Sequence, residues 1–145
     1  MPAGYRFPLA GSLALLFVVA LSAGCSKSDR VAVHPVEGQL SWNGQPLANA
    51  FVVLHPQDKS NPKLLAARAQ TDAEGKFQLT TYDQADGAAA GEYQVTVEYF
   101  RPVNNGGSFV PGPNVLPAKL ARPETSEITV SVAAGKNTLQ PIVVR

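Results

Sequence analysis

Reactive side chains are few in this sequence, and their spacing decides what chemistry is open to it. It holds one cysteine, Cys25, and two histidines, His34 and His55. A lone thiol rules out a disulfide framework and any cysteine-based zinc site. His34 precedes Pro35 and His55 precedes Pro56, and zinc would want a third protein ligand and tighter spacing. Asp72 and Glu74 beside Gly75 offer oxygen ligands. The extended ligand run and distant bidentate glutamate of a calcium loop are missing, so the stretch reads as a turn. Asp83 and Asp86 lie in a loop rich in Ala and Gly and read as solvated acids. There is no Gly-x-Ser-x-Gly elbow, and neither histidine is placed as a base for a nucleophile. The expectation is no catalytic residue, no metal and no cofactor: not an enzyme.

The one thiol sits in a telling place. Arg6 and the amino terminus give a short positive region, Leu9 to Leu21 is apolar, and Ser22, Ala23 and Gly24 are small. This is the build of a secretory signal. The apolar run falls short of the ~20 residues that a spanning helix needs. Leu21-Ser22-Ala23-Gly24-Cys25 resembles a bacterial lipobox at every position. That resemblance implies a diacylglycerol on the Cys25 thiol, cleavage before Cys25, and acylation of the new amine by a fatty acid such as palmitate. One chain anchors only marginally, at ~0.8 kcal/mol per buried CH₂, whereas two or three hold a domain firmly. Ser26 after the cysteine, rather than Asp, resembles the pattern that sends lipoproteins to an outer membrane. The expected organisation is a signal peptide over 1–24, a lipidated tether over 25–35 and a folded domain over 36–145.

Charge adds an exclusion. The sequence has 12 Lys and Arg against 11 Asp and Glu, and loss of Arg6 with the signal balances them. Nucleic-acid binding wants a basic stripe, and none is present.

From Val36 onward short alternating segments are broken by turn chemistry, the signature of an antiparallel sandwich. Val36, Gly38, Leu40 and Trp42 alternate with polar residues, and Asn43-Gly44 then marks a tight hairpin. Phe51 to Leu54, Leu64 to Thr71 and Lys76 to Thr81 read as further strands, the last with Phe77 and Leu79 inward. Tyr93, Val95, Val97 and Tyr99 give the clearest alternation. Ile128, Val130 and Val132 follow, then Thr138 to Val144 after a turn at Gly135. The prediction is an all-β, seven-stranded Greek-key sandwich of the immunoglobulin-like or transthyretin-like kind.

Four ordered motifs carry a family resemblance. They are Val36-x-Gly38-x-Leu40, Gly44-x-Pro46-Leu47-x-x-Ala50-x-Val52, Thr71-Asp72-x-x-Gly75-x-Phe77-x-Leu79 and Gly91-x-Tyr93-x-Val95-x-Val97. Together they resemble the carboxypeptidase regulatory-like (transthyretin-like) domain. Pro117-Ala118-Lys119, Thr125-Ser126 and Gly135-x-Asn137 are similar to small bacterial surface lipoproteins that carry it, with Leu120 where an aromatic often stands. The resemblance implies a fold and an accessory role. Purine-pathway hydrolases of transthyretin-like fold end in Tyr-Arg-Gly-Ser, whereas this sequence ends in Ile142-Val143-Val144-Arg145.

Two features point to a surface. Phe51 and Val53 fall opposite Ala50, Val52 and Leu54. Either that strand is buried on both sides or it presents an apolar patch to a partner. Burial is the reading adopted, with the 101–127 segment as the cover. That segment carries Pro102, Pro111, Pro113, Pro117 and Pro123 and reads as a long loop. Such loops are functional or mobile, unless this one simply straps across an edge and shields it. Arg101, Phe109 and Lys119 are its candidate contact residues. The functional expectation is a lipid-anchored envelope protein whose non-catalytic sandwich serves as a structural or protein-interaction module. The alternative is a cell-surface carbohydrate-binding module using Trp42, the one tryptophan, near Tyr82.

Overall fold

The computed structural model describes Met1, Ala3, Gly4 and residues 29–145. The apolar run Leu9 to Leu21, read above as an export signal, and Cys25 lie outside the described residues. Among those described, no helix is long and apolar enough to cross a membrane.

The chain runs through β1 (Val33–His34), β2 (Val36–Trp42), β3 (Gln45–Pro46), β4 (Phe51–Pro56), β5 (Ala67–Gln70) and β6 (Lys76–Gln78). It continues through β7 (Ala88–Ala89), β8 (Gly91–Glu98), β9 (Phe100–Asn105) and β10 (Ser108–Asn114). A 3₁₀ turn (Ala118–Ala121) leads to β11 (Thr129–Val132), β12 (Asn137–Thr138) and β13 (Ile142–Val144). One sheet has the order β11-β8-β4-β5; the other centres on β2, flanked by β12 and β13 on one edge and by β3 and β6 on the other. Alternation puts Val36 and Leu40, Val52 and Leu54, Phe77 and Leu79, and Tyr93, Val95 and Val97 into one core between them. The all-β sandwich is the fold that the periodicity predicts.

Local chemistry explains why the strands turn where they do. Asn43 and Gly44 take φ of 51° and 80°, and Trp42 pairs directly with Gln45, a two-residue hairpin of the kind Asn-Gly favours. Thr71 is buried; its hydroxyl donates to the Leu47 carbonyl at 2.6 Å and accepts from the Ala50 amide at 2.9 Å. That clamps the chain where it enters β4. Gly38 lies beneath the Phe77 ring, and a Cβ there would come within 2.4 Å of Phe77 Cζ. Buried Tyr93 donates its phenol to the Ala89 carbonyl at 2.7 Å. A tyrosine holding upstream backbone at a strand start is the corner device of Greek-key sandwiches.

Several expectations are corrected. The C-terminal strand predicted over Thr138 to Val144 is split at Pro141, and both pieces lie parallel to β2 rather than antiparallel. Proline has no amide hydrogen for the ladder, so the break falls there. The strand predicted from Leu64 starts only at Ala67. His34, assigned to the tether, is instead in β1, which pairs with β7. Its Nδ1 accepts a hydrogen bond from the Gly135 amide at 3.1 Å.

The largest correction concerns residues 101–127. In place of a long loop, β9 and β10 form a hairpin that, among the described residues, pairs with no other strand, turning at Gly106-Gly107. At its base the Asn114 carboxamide accepts from the Tyr99 and Leu116 amides, at 3.0 and 3.1 Å. Beyond it the 3₁₀ turn packs against β8, with Leu116 and Leu120 in the core. The Ser126 hydroxyl donates to the Val95 carbonyl, and the Thr125 hydroxyl donates to the Lys119 carbonyl at 2.7 Å.

Candidate functional site

Of the residues singled out for a surface, Phe51, Arg101 and Phe109 gather around the hairpin. Phe109 is 76% exposed on β10 and Val103 is 42% exposed on β9. Phe51 is 45% exposed, and its ring meets Phe100 edge-on with centroids 6.2 Å apart. The two-sided burial expected of β4 is therefore met only in part, since Val53 is half-buried and Phe51 stays largely open. The ring against Phe51 is Phe100, at the base of the β9–β10 hairpin. Arg101 is exposed on β9. Lys119 lies beyond the hairpin in the 3₁₀ turn and pairs with Glu127 at 3.1 Å.

Proline shapes this arm. Pro102 stands opposite Pro111, and the register then slips before Asn114 pairs with Phe100. Neither proline can donate to a ladder, and the slip bends the strand, so the arm is poorly suited to indiscriminate edge pairing.

The acids and histidines that invited thoughts of catalysis have other duties. Asp72 accepts from the Glu74 and Lys76 amides, at 3.0 and 2.8 Å, and closes the β5–β6 turn. Asp86 is not the solvated acid expected of it. Its carboxylate accepts from the amides of Thr81, Tyr82 and Asp83 at 2.7, 3.0 and 2.9 Å, wrapping the 81–86 loop around itself. Burial pushes its pKa up, but those amides together outweigh burial and hold it below the usual aspartate value. Asp83 pairs with Arg30 at 2.8 Å.

His55 has a partner that sequence reading missed: its Nε2 and the Thr96 hydroxyl share a 2.9 Å hydrogen bond. They sit in adjacent strands, since His55 pairs with Gln94 and Val53 with Thr96. Burial, reinforced by Lys59, pushes the His55 pKa down against the pull of Glu124. Thr96 is only 4% exposed in the middle of β8, so this hydrogen bond lies within the sheet.

The saccharide reading loses its proposed aromatic pair. Trp42 is half-buried and meets Tyr99 edge-on at 6.4 Å, while Tyr82 lies 5.0 Å under the Arg30 guanidinium.

Together these features define an all-β sandwich with a free-standing hairpin arm. No family model matches the chain, and no curated protein matches it in sequence. Among solved structures it is similar to a proposed carbohydrate-binding protein from Pseudomonas aeruginosa, with 15% identity over 79% of this chain and 89% of that one and a TM-score of 0.40. It is also similar to a DUF3823 family protein from Parabacteroides merdae, with 17% identity over 79% of this chain and a TM-score of 0.42. A 9R-lipoxygenase from Cyanothece matches at 18% identity over 78% of this chain, with a TM-score of 0.43. The chain spans 46% of the second of these proteins and 16% of the third.

Proposed function

We propose that this is a lipid-anchored cell-envelope protein whose sandwich is a non-catalytic interaction module, presenting the β9–β10 hairpin to another envelope protein. The observation that carries the reading is Phe109, 76% exposed on an arm that, among the described residues, pairs only with itself. A phenylalanine ring held in water forgoes about 1.5–3 kcal/mol that burial would return, and aromatic and arginine side chains are the usual anchors of protein interfaces. Val103 and Arg101 share the arm, and Phe51 with Phe100 continues the apolar surface at its base. The anchor rests on the lipobox-like Leu21 to Cys25, and the tether on the polar residues after it. Ser26 after the cysteine, in its resemblance to the outer-membrane sorting pattern, supports that destination.

A photoreactive phenylalanine analogue at position 109, irradiated in cells and followed by mass spectrometry, tests this. The expected result is one dominant envelope protein crosslinked at 109 and absent for a probe at exposed Lys136. Equal, diffuse labelling at both positions would remove the hairpin from consideration.

A further inference from the structure

A second surface, remote in sequence from the hairpin, is built for a ligand of different chemistry. The solvent face of β2 and β6 forms the floor of an open groove of about 960 Å³. In register, Glu37 lies opposite Gln78 and Gln39 opposite Lys76, all on the face away from Val36 and Leu40. Ala69, Gln70 and Asp72 line one flank, Thr138 to Pro141 the other, and Gln84 with Ala85 closes an end. Of the eight glutamines in the chain, five line this groove: Gln39, Gln70, Gln78, Gln84 and Gln140. They come from five separate stretches. Gln39 donates to the Glu74 carbonyl at 3.2 Å; among the described residues the other four carboxamides make no hydrogen bond within the protein.

We infer that this groove is a binding site for a neutral saccharide. A carboxamide both donates and accepts, as a sugar hydroxyl does, so converging amides match a polyhydroxyl chain. The carboxylates here are already engaged. Glu37 pairs with Lys136 at 3.2 Å and accepts from Thr138 at 3.0 Å, and Asp72 is held by the turn amides. The formal charges at the groove cancel, Glu37 against Lys136 and Asp72 against Lys76, so no net charge selects an ionic ligand. An extended peptide fits less well, because added strands bind through open edges. Here β2 is paired on both sides, and β6 is paired with β2 and followed by the Thr80–Arg68 bridge to β5. The rim is set in advance: Asp86 fixes the loop that carries Gln84, and Ala85 donates to the Thr80 hydroxyl at 3.0 Å with φ of 58°. Fixing the rim before binding lowers the entropy cost of recognition. Phe77 lies beneath the floor at 3% exposure, so no ring is free to stack, and Kd on the order of a millimolar is expected. This site is independent of the hairpin reading.

The test uses the full chain in a detergent without a sugar headgroup, with saturation-transfer NMR against xylohexaose, cellohexaose and maltohexaose at millimolar concentrations. At least one hexaose should bind. The double variants Gln78→Ala/Gln140→Ala and Gln70→Ala/Gln84→Ala should each weaken that binding by about tenfold. Phe109→Ser should leave it unchanged, which separates failure here from failure of the hairpin. All four positions are exposed, so circular dichroism should report an intact fold in each variant. The inference is overturned if no hexaose binds or if both double variants bind as tightly as the parent. It is equally overturned if a Ser- and Gly-rich decapeptide or an oligogalacturonate outcompetes the neutral sugars.

Discussion

A methyl group decides the fit at Gly38. Its Cβ would lie 2.4 Å from Phe77 Cζ, and the ring cannot retreat because Phe77 is core on a paired strand. Gly38→Ala should therefore destabilise the fold by about 1–3 kcal/mol, read as a lower denaturation midpoint at unchanged m-value. Thr71→Val keeps the shape but leaves the Ala50 amide and Leu47 carbonyl without their partner, for a loss of about 1–3 kcal/mol. Titration acts at the same scale. His55 has a folded pKa below 6.5, so the unfolded chain takes up its proton first as pH falls. That part of stability is complete above pH 6.5 and drains away as pH drops from 6.5 through the depressed value. Asp86 has the same sign in a lower window, below its ordinary 3.8. Melting temperatures from pH 8 to 5 should thus fall in the parent, and His55→Gln should flatten that slope while leaving the acid-side loss in place.

The hairpin is the element that sequence reading could not find, and the reason is physical. Strand recognition relies on one face being apolar, whereas nearly every residue of β9 and β10 meets solvent. Facing prolines and the Gly106-Gly107 turn then look like loop composition. Because the arm packs on little besides Phe51, Phe109→Ser should change stability by less than about 0.5 kcal/mol. The same substitution should abolish the dominant crosslink from a probe placed at Arg101. A large fall in melting temperature would instead mark Phe109 as part of the fold. By contrast, the motifs that resemble the carboxypeptidase regulatory-like domain were legible because they are local. Gly44 and Asp72 to Gly75 sit in turns, as does the lipoprotein-like Gly135-x-Asn137, where Asn137 bridges Ala133 and Gly135 through its carboxamide.

For the molecule as a whole, the anchor and the domain separate cleanly in their expected behaviour. Cys25→Ala should move the full chain from the membrane fraction to the soluble one, leaving the fold's circular dichroism unchanged. Persistent membrane retention would count against lipidation. Alternation and turn residues were enough to read the sandwich, its tight turns and most of its core, because each depends on neighbours within a few positions. Three things needed the folded chain: the parallel seating of β12 and β13 beside β2, the hydrogen bond between His55 and Thr96, and the groove of glutamines. Each joins residues far apart in sequence through strand register, and no periodicity encodes which strand will lie beside which. Gln39, Gln78 and Gln140 look like ordinary surface residues one strand at a time; only sheet order brings them to one face.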